Sequence, residues 1–171
     1  MTSGYPIVFL GDPVLRTECD PVTRFDAALG RLIDGMFEAM YAARGVGLAA
    51  NQVGVGLRVF VFDCGEDGGH GQVGHVVNPR VVDSGGEILD DPEGCLSLPG
   101  LQFDTPRASW AAVEGFDRTG VPIRLEGEQY VARCLLHEAD HLNGLVYVDR
   151  LSGATRRAAL RAVREATWSV R

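Results

Sequence analysis

The sequence predicts an α+β fold, a single domain over residues 1–171 of short antiparallel strands around a central helix, with another helix at the C-terminus. Three observations predict it. Leu29, Leu32, Ile33, Met36, Phe37 and Met40 recur at helical spacing between Asp26 and Gly45. Between residues 57 and 125, short runs rich in Val and Phe alternate with Gly- and Asp-rich turns. Last, Cys-Leu-Leu-His-Glu-Ala-Asp-His (134–141) sits among Val131, Ala132, Leu135, Leu136 and Leu142, an apolar helical setting that Gly144 stops.

Residues 5–23 carry three prolines and a Gly-Asp-Pro turn, which predicts a loop-rich segment wrapped on the core. Asp26 is placed to cap the first helix, whose C-terminal end presents Gly-Val-Gly-Leu-Ala-Ala-Asn-Gln (45–52). Leu57–Phe62 reads as a strand, 65–71 as a Gly-rich hairpin loop, and Gln72–Val82 as a returning strand interrupted by Pro79. Gly85-Gly86 reads as a turn. Arg107–Phe116 and Val121–Leu125 read as a hairpin around Asp117–Gly120. The helix carrying His137 follows, and a last helix is expected from about Thr155. No linker, repeat or low-complexity segment divides the chain.

Composition narrows the function. Hydrophobic residues make up 46% and charged residues 23%, values of an ordinary soluble globular protein. A net charge of −7 argues against general nucleic-acid binding, although it leaves room for a local basic patch. All 16 basic residues are arginine. The N-terminus lacks the charged and apolar regions of a secretory signal, and no apolar run has membrane-spanning length, so the expected compartment is cytoplasmic, with no membrane partner. In that compartment the four cysteines (19, 64, 95 and 134) are expected to be reduced, with Cys19 and Cys64 serving as packing residues.

Chemistry concentrates in the central helix. His137 and His141 are four residues apart, so their imidazoles share one face and can grip one ion, which would make this a metal-binding helix. Glu138 projects beside that face, within reach of a water on the metal. The same residues also fit an ordinary buried helix. A catalytic site of this kind needs a third protein ligand and an open position. Cys95 is the candidate, in Pro-Glu-Gly-Cys-Leu-Ser-Leu-Pro (92–99), where Gly94 and Pro99 indicate irregular or edge-strand backbone. A cysteine packed in a turn as a small hydrophobe is the alternative. His70, in a polar loop, and His75, in a strand without a partner motif, are left outside the site.

Taken together, Gly45–Gln52, Glu93–Ser97 and His137–His141 closely resemble the three signature motifs of the peptide deformylases, in the family's order and with similar spacing. The likeness runs from Gly11-Asp-Pro-Val-Leu-Arg16 to His141-Leu-Asn-Gly144 and Asp149. It implies removal of the formyl group from the N-terminal formylmethionine of new polypeptides. Cys95, His137 and His141 would hold the metal, ferrous iron natively, with zinc, nickel or cobalt in preparations. Metal-bound hydroxide would attack the formyl carbon, with Glu138 as general acid/base. Gln52 and the Leu96 N–H would be the oxyanion donors. Standing alone, Gln52 would read as a surface amide after a turn.

Val46, Gly47, Tyr130, Arg133 and Cys134 are the candidate substrate-binding residues: Tyr130, Cys134 and the stem of Arg133 as walls with Val46, and Gly47, with Gly45, letting peptide backbone approach and pair as an added strand. The resemblance further implies a Glu93–Arg107 ion pair supporting the cysteine loop.

The chain departs from some relatives at Gln102, where an arginine can stand, and at Arg133 and Asp91, where others have an aliphatic residue. A zinc protease with a downstream ligand is one rival; Glu165 is the residue available to it. A catalytically silent binding module is the other, marked by loss of Gln52 or Glu138, and both are present. Beyond Asp149 lie six arginines. A continuous helix would put Arg157, Arg161, Arg164 and Arg171 on one face with Trp168, beside a more apolar face of Leu160, Val163, Thr167 and Val170. Such a helix either packs with a solvated charged side or, as the resemblance suggests, docks on the ribosome.

Overall fold

A computed structural model describes residues 4–65 and 72–169. Five strands form one sheet in chain order, each antiparallel to its neighbour: β1 (Gly47–Ala49), β2 (Val59–Asp63), β3 (Val73–Gly94), β4 (Gln102–Phe116) and β5 (Pro122–Glu128). Three α-helices accompany it: α1 (Ala27–Ala42), α2 (Gln129–Leu142) and α3 (Gly153–Glu165). The α+β class is the expected one, with α2 packed against the sheet.

Asp26 caps α1, its carboxylate accepting from the N–H groups of Ala28 (3.0 Å) and Leu29 (3.2 Å). The apolar stripe of α1 is buried against Leu48, Val59, Val61 and Val77. Arg44 takes a left-handed φ of 57°, and Gly45 N–H donates to Met40 C=O at 2.9 Å, so the chain leaves α1 directly into β1. The N-terminal segment wraps as expected and binds two motif segments by backbone: Val8 N–H donates to Gln52 C=O and Leu10 N–H to Ser97 C=O, both at 2.9 Å.

Two strands run longer than the sequence predicts. Gly85-Gly86 does not turn the chain; β3 continues through it, with a register shift against β4 between Gly85 and Ile88. The reason is a bulge: Gly86 has φ 78°, and a Cβ there would stand 2.3 Å from Ser109 Oγ, so the glycine admits an irregularity that the long partner strand carries past. Pro79 likewise falls in a register shift, between Val77 and Arg80, rather than ending the strand. β4 starts at Gln102, five residues before Arg107. His75 lies in β3 and accepts from the Arg118 N–H at 3.0 Å, and His70 lies outside the described residues.

Val131, Cys134, Leu135 and Leu142 of α2 pack on Phe60, Phe62 and Val113 of the sheet. All four cysteines are free, and Cys19 and Cys64 are buried. In α3, Ala159 packs with Leu98, Tyr147 and Val148, while Arg157, Arg161 and Arg164 are exposed. Trp168 does not join that basic face. The helix ends at Glu165, Ala166 takes an extended conformation (φ −70°, ψ 133°), and the break in helical phase swings Trp168 onto Phe9 and the Pro99 carbonyl, its Nε1–H donating at 3.0 Å. Val170 and Arg171 lie outside the described residues. Among the described residues, no helix is long and apolar enough to cross a membrane.

Candidate metal centre

Three elements converge on one point. α2 supplies His137 and His141, the segment after β3 supplies Cys95, and the 3-10 turn after β1 supplies Gln52. One ligand atom from each of Cys95, His137 and His141 lies within 4.8 Å of the others. His137 Nε2 is 3.1 Å from His141 Nε2, which is 3.3 Å from Cys95 Sγ. Bonds of about 2.0–2.3 Å to a tetrahedral ion space such donors by about 3.3–3.6 Å, so these two separations lie within a few tenths of an ångström of those in a metal cradle.

Electrostatics point the same way. Burial opposes charge on His137, but hydrogen bonds to Cys95 and Glu93 outweigh it and hold its pKa well above the usual value. Burial and the charge of His137 push His141 well below. Two buried imidazoles whose Nε2 atoms face each other offer lone pairs that one divalent cation would satisfy together. The thiolate and two imidazoles suit a borderline-soft first-row ion and leave a fourth position open.

His137 Nδ1 and Glu93 Oε1 are 2.6 Å apart, an arrangement that frees Nε2 for a metal. Glu93 is also gripped by Arg107, through Nε (3.1 Å) and Nη2 (2.7 Å). Burial would raise the Glu93 pKa, but the hydrogen bonds and charges of His137 and Arg107 hold it far below the carboxylate range. Arg107 reaches on to Asp140 Oδ2 at 2.6 Å, and Arg150 closes the network from outside. The sequence reading missed Asp140; its signal was an acid on the apolar helix between two candidate ligands. Asn51, also missed, ties the 3-10 turn to α2 by donating to His141 C=O at 2.6 Å.

A cavity of about 650 Å³ opens beside this group. Val46, Gly47, Gln52, Cys95, Leu96, Tyr130, Arg133, Cys134, His137 and Glu138 line it, together with Gln102, and His141 lies fully buried behind. Arg133 is among the lining residues, and its guanidinium is buried, donating to Glu93, Thr105 and Leu89. Gln52 is oriented by the Ala49 N–H, which donates to Oε1 at 2.9 Å, so its Nε2 faces Ser97 Oγ (3.1 Å) and Cys95 Sγ (3.4 Å). Among the described residues the Leu96 N–H enters no backbone hydrogen bond. Glu138 is 3% exposed with Oε2 unpartnered, and burial lifts its pKa to about 7. Cys134 Sγ donates to Val46 C=O at 3.6 Å, fastening α2 to the start of β1. Glu165 is exposed at the end of α3 and is not among the cavity-lining residues.

Fold and site define a class: an antiparallel α+β protein with a Cys-His-His group that can hold a metal, set between one helix and a facing loop. The sequence pattern of the family described as Polypeptide deformylase matches residues 5–157. Peptide deformylase 2 of Streptomyces avermitilis is 54% identical over 164 residues, covering 96% of this chain and 88% of that one. A crystal structure of a peptide deformylase from Legionella pneumophila superposes with a TM-score of 0.85 at 43% identity, covering 95% of each chain. Another, from Synechococcus elongatus in complex with actinonin, gives 0.87 at 36% identity, covering 98% of this chain and 91% of that one. The chain belongs to the peptide deformylase family and is an enzyme, a hydrolase.

Proposed function

We propose that this enzyme hydrolyses the formyl group from the N-terminal formylmethionine of newly made polypeptides, acting as one catalytic domain over residues 1–171 in the cytoplasm. The observation that carries the reading is the convergence, on one cavity, of the Cys95–His137–His141 group, the buried Glu138 carboxyl and the Gln52 amide. Cys95, His137 and His141 would hold a divalent ion that would act as a Lewis acid and make hydroxide available at neutral pH, with ferrous iron the proposed native metal and zinc, nickel or cobalt as substitutes.

Glu138 takes a proton from the attacking water and returns it to the departing amine, a role that its buried carboxyl, with Oε2 unpartnered beside the cavity, is placed for. Gln52 Nε2–H and the Leu96 N–H donate to the oxygen on which negative charge develops. The methionine side chain lies between Val46, Tyr130, Cys134 and the methylene stem of Arg133, an apolar and unbranched slot. β1 is an edge strand beside the cavity, and its free side, with Gly45 and Gly47, can pair with the peptide backbone.

The test is formate release from formyl-Met-Ala-Ser by anaerobically prepared, metal-analysed protein. Formate with no cleavage of the peptide chain is expected, and Met-Ala-Ser should be left intact. Chain cleavage would favour the zinc protease; no reaction at full metal occupancy would favour the silent relative. Docking on the ribosome belongs to the same proposal, supported by the exposed row of Arg157, Arg161 and Arg164. Reversing these three charges should abolish salt-sensitive co-sedimentation with ribosomes while leaving formate release unchanged. Unchanged co-sedimentation would leave α3 as packing alone.

A further inference from the structure

Arg133 stands one helical turn before His137 and is among the residues that line the cavity. A cationic head there would be free to meet substrate, yet the side chain is only 7% exposed and reaches away. Nη1 donates to Glu93 Oε2 at 2.8 Å and to Thr105 C=O at 2.7 Å; Nη2 donates to Leu89 C=O at 2.8 Å. Taking a guanidinium out of water costs several kcal/mol unless most of its donors are met, so this arrangement is specific.

We propose that Arg133 is a positioning residue of the metal centre, holding His137 through Glu93. This rests on the reading of Cys95, His137 and His141 as metal ligands. Glu93 makes four bonds, two on each oxygen. Oε1 meets Arg107 Nη2 and His137 Nδ1; Oε2 accepts from Arg107 Nε and Arg133 Nη1. The carboxylate cannot turn away from His137 without breaking a bond to an arginine.

The two arginines act differently. Arg107 ties Glu93 to β4 and to Asp140. Arg133 ties Glu93 back to α2 itself, closing a ring from Arg133 along one helical turn to His137, through the imidazole to Glu93, and back. Its bonds to Leu89 and Thr105 pin the same turn to β3 and β4. Cys95 lies two residues after Glu93, so Arg133 sets the separation between the cysteine loop and the histidine helix, which is the spacing of the donors. Both buried guanidiniums meet a carboxylate, Arg107 facing Glu93 and Asp140 and Arg133 facing Glu93.

The experiment compares cobalt-loaded parent, Arg133→Met and Arg133→Lys proteins by visible ligand-field spectrum, rate of metal release to a chelator, and melting temperature. Met keeps the stem and loses every donor; Lys keeps the charge but cannot match the three acceptors at once. Release about tenfold faster and an altered spectrum are expected for Arg133→Met, with Arg133→Lys between it and the parent. A parental spectrum and release rate in Arg133→Met, whatever its melting temperature, would overturn the proposal and leave Arg133 as packing. If Arg133→Met does not fold, the Lys variant decides by the same two readings. A parent that binds no cobalt would instead overturn the metal reading underneath.

Discussion

The Glu138 carboxylate lies directly over Gly47: a Cβ built on the glycine would stand 2.3 Å from Oε1 and 2.8 Å from Cδ. The edge strand beside the cavity and the proposed proton-transfer group therefore share one space, and only a residue without a side chain leaves it open. In Gly47→Ala the carboxylate must shift. Turnover should fall by about 100-fold, the cost of a misplacement near 1 Å, with metal content unchanged. Parental formate release by the fully loaded variant would show that Glu138 has room elsewhere.

Glu138→Gln preserves shape and removes the proton acceptor. Formate release should fall by roughly 100-fold or more at full metal occupancy. Near-normal turnover would remove Glu138 from the mechanism.

The same residue makes a separate pH prediction for the metal-free protein. Burial raises its folded pKa from an ordinary 4.5 to about 7, so the folded state holds the proton more tightly than the unfolded chain. Its contribution to stability is full below pH 4.5 and is lost as pH rises through 7. Urea unfolding of metal-free parent and Glu138→Gln should therefore diverge between pH 5 and 8, the variant gaining on the order of 1 to 3 kcal/mol relative to the parent. Parallel curves would contradict the burial effect.

Gln52 has two separable functions. Its Oε1 accepts from the buried Ala49 N–H, while its Nε2 faces Cys95 Sγ. Gln52→Glu keeps an acceptor and loses the amide donor, so turnover should fall about 100- to 1,000-fold, and in the acid range where the new buried carboxyl stays neutral stability should change little. Gln52→Ala also leaves the Ala49 N–H unpaired and should cost about 1–3 kcal/mol in addition. Equal stability of the two variants would refute the orienting bond.

A thiolate beside ferrous iron is open to oxidation of the metal or of Cys95. The iron-loaded enzyme should lose activity in air while the nickel-loaded one keeps it. Equal decay of the two forms would place the oxygen sensitivity, if there is any, elsewhere.

Much of this protein is local and could be read from the chain. Period 3.6 puts His137 and His141 on one face of α2, Asp26 caps α1, and alternating runs between glycine turns make an antiparallel sheet. Part of the cavity lining, Gly47, Gln52, Cys95, Leu96, His137 and Glu138 among it, falls within the three short motifs, because each motif is a backbone segment whose side chains are set by neighbours a few positions away.

Tertiary structure decided what depends on partners distant in sequence. Pattern alone put Arg133 on the cavity face; its head turns away because Glu93 and two backbone carbonyls, 28 to 44 residues away, meet its donors in a dry interior. Asp140 becomes the second carboxylate of the network only because Arg107 and Arg150 reach it from other elements. Gly85-Gly86 becomes a bulge rather than a turn because β4 runs alongside, and Trp168 leaves its projected face because α3 stops three residues earlier and the indole N–H meets the Pro99 carbonyl. Helical and strand periodicity say which way a side chain leaves the backbone, but the free energy of burying a charge or an indole N–H is settled by whichever groups the fold brings within hydrogen-bond distance.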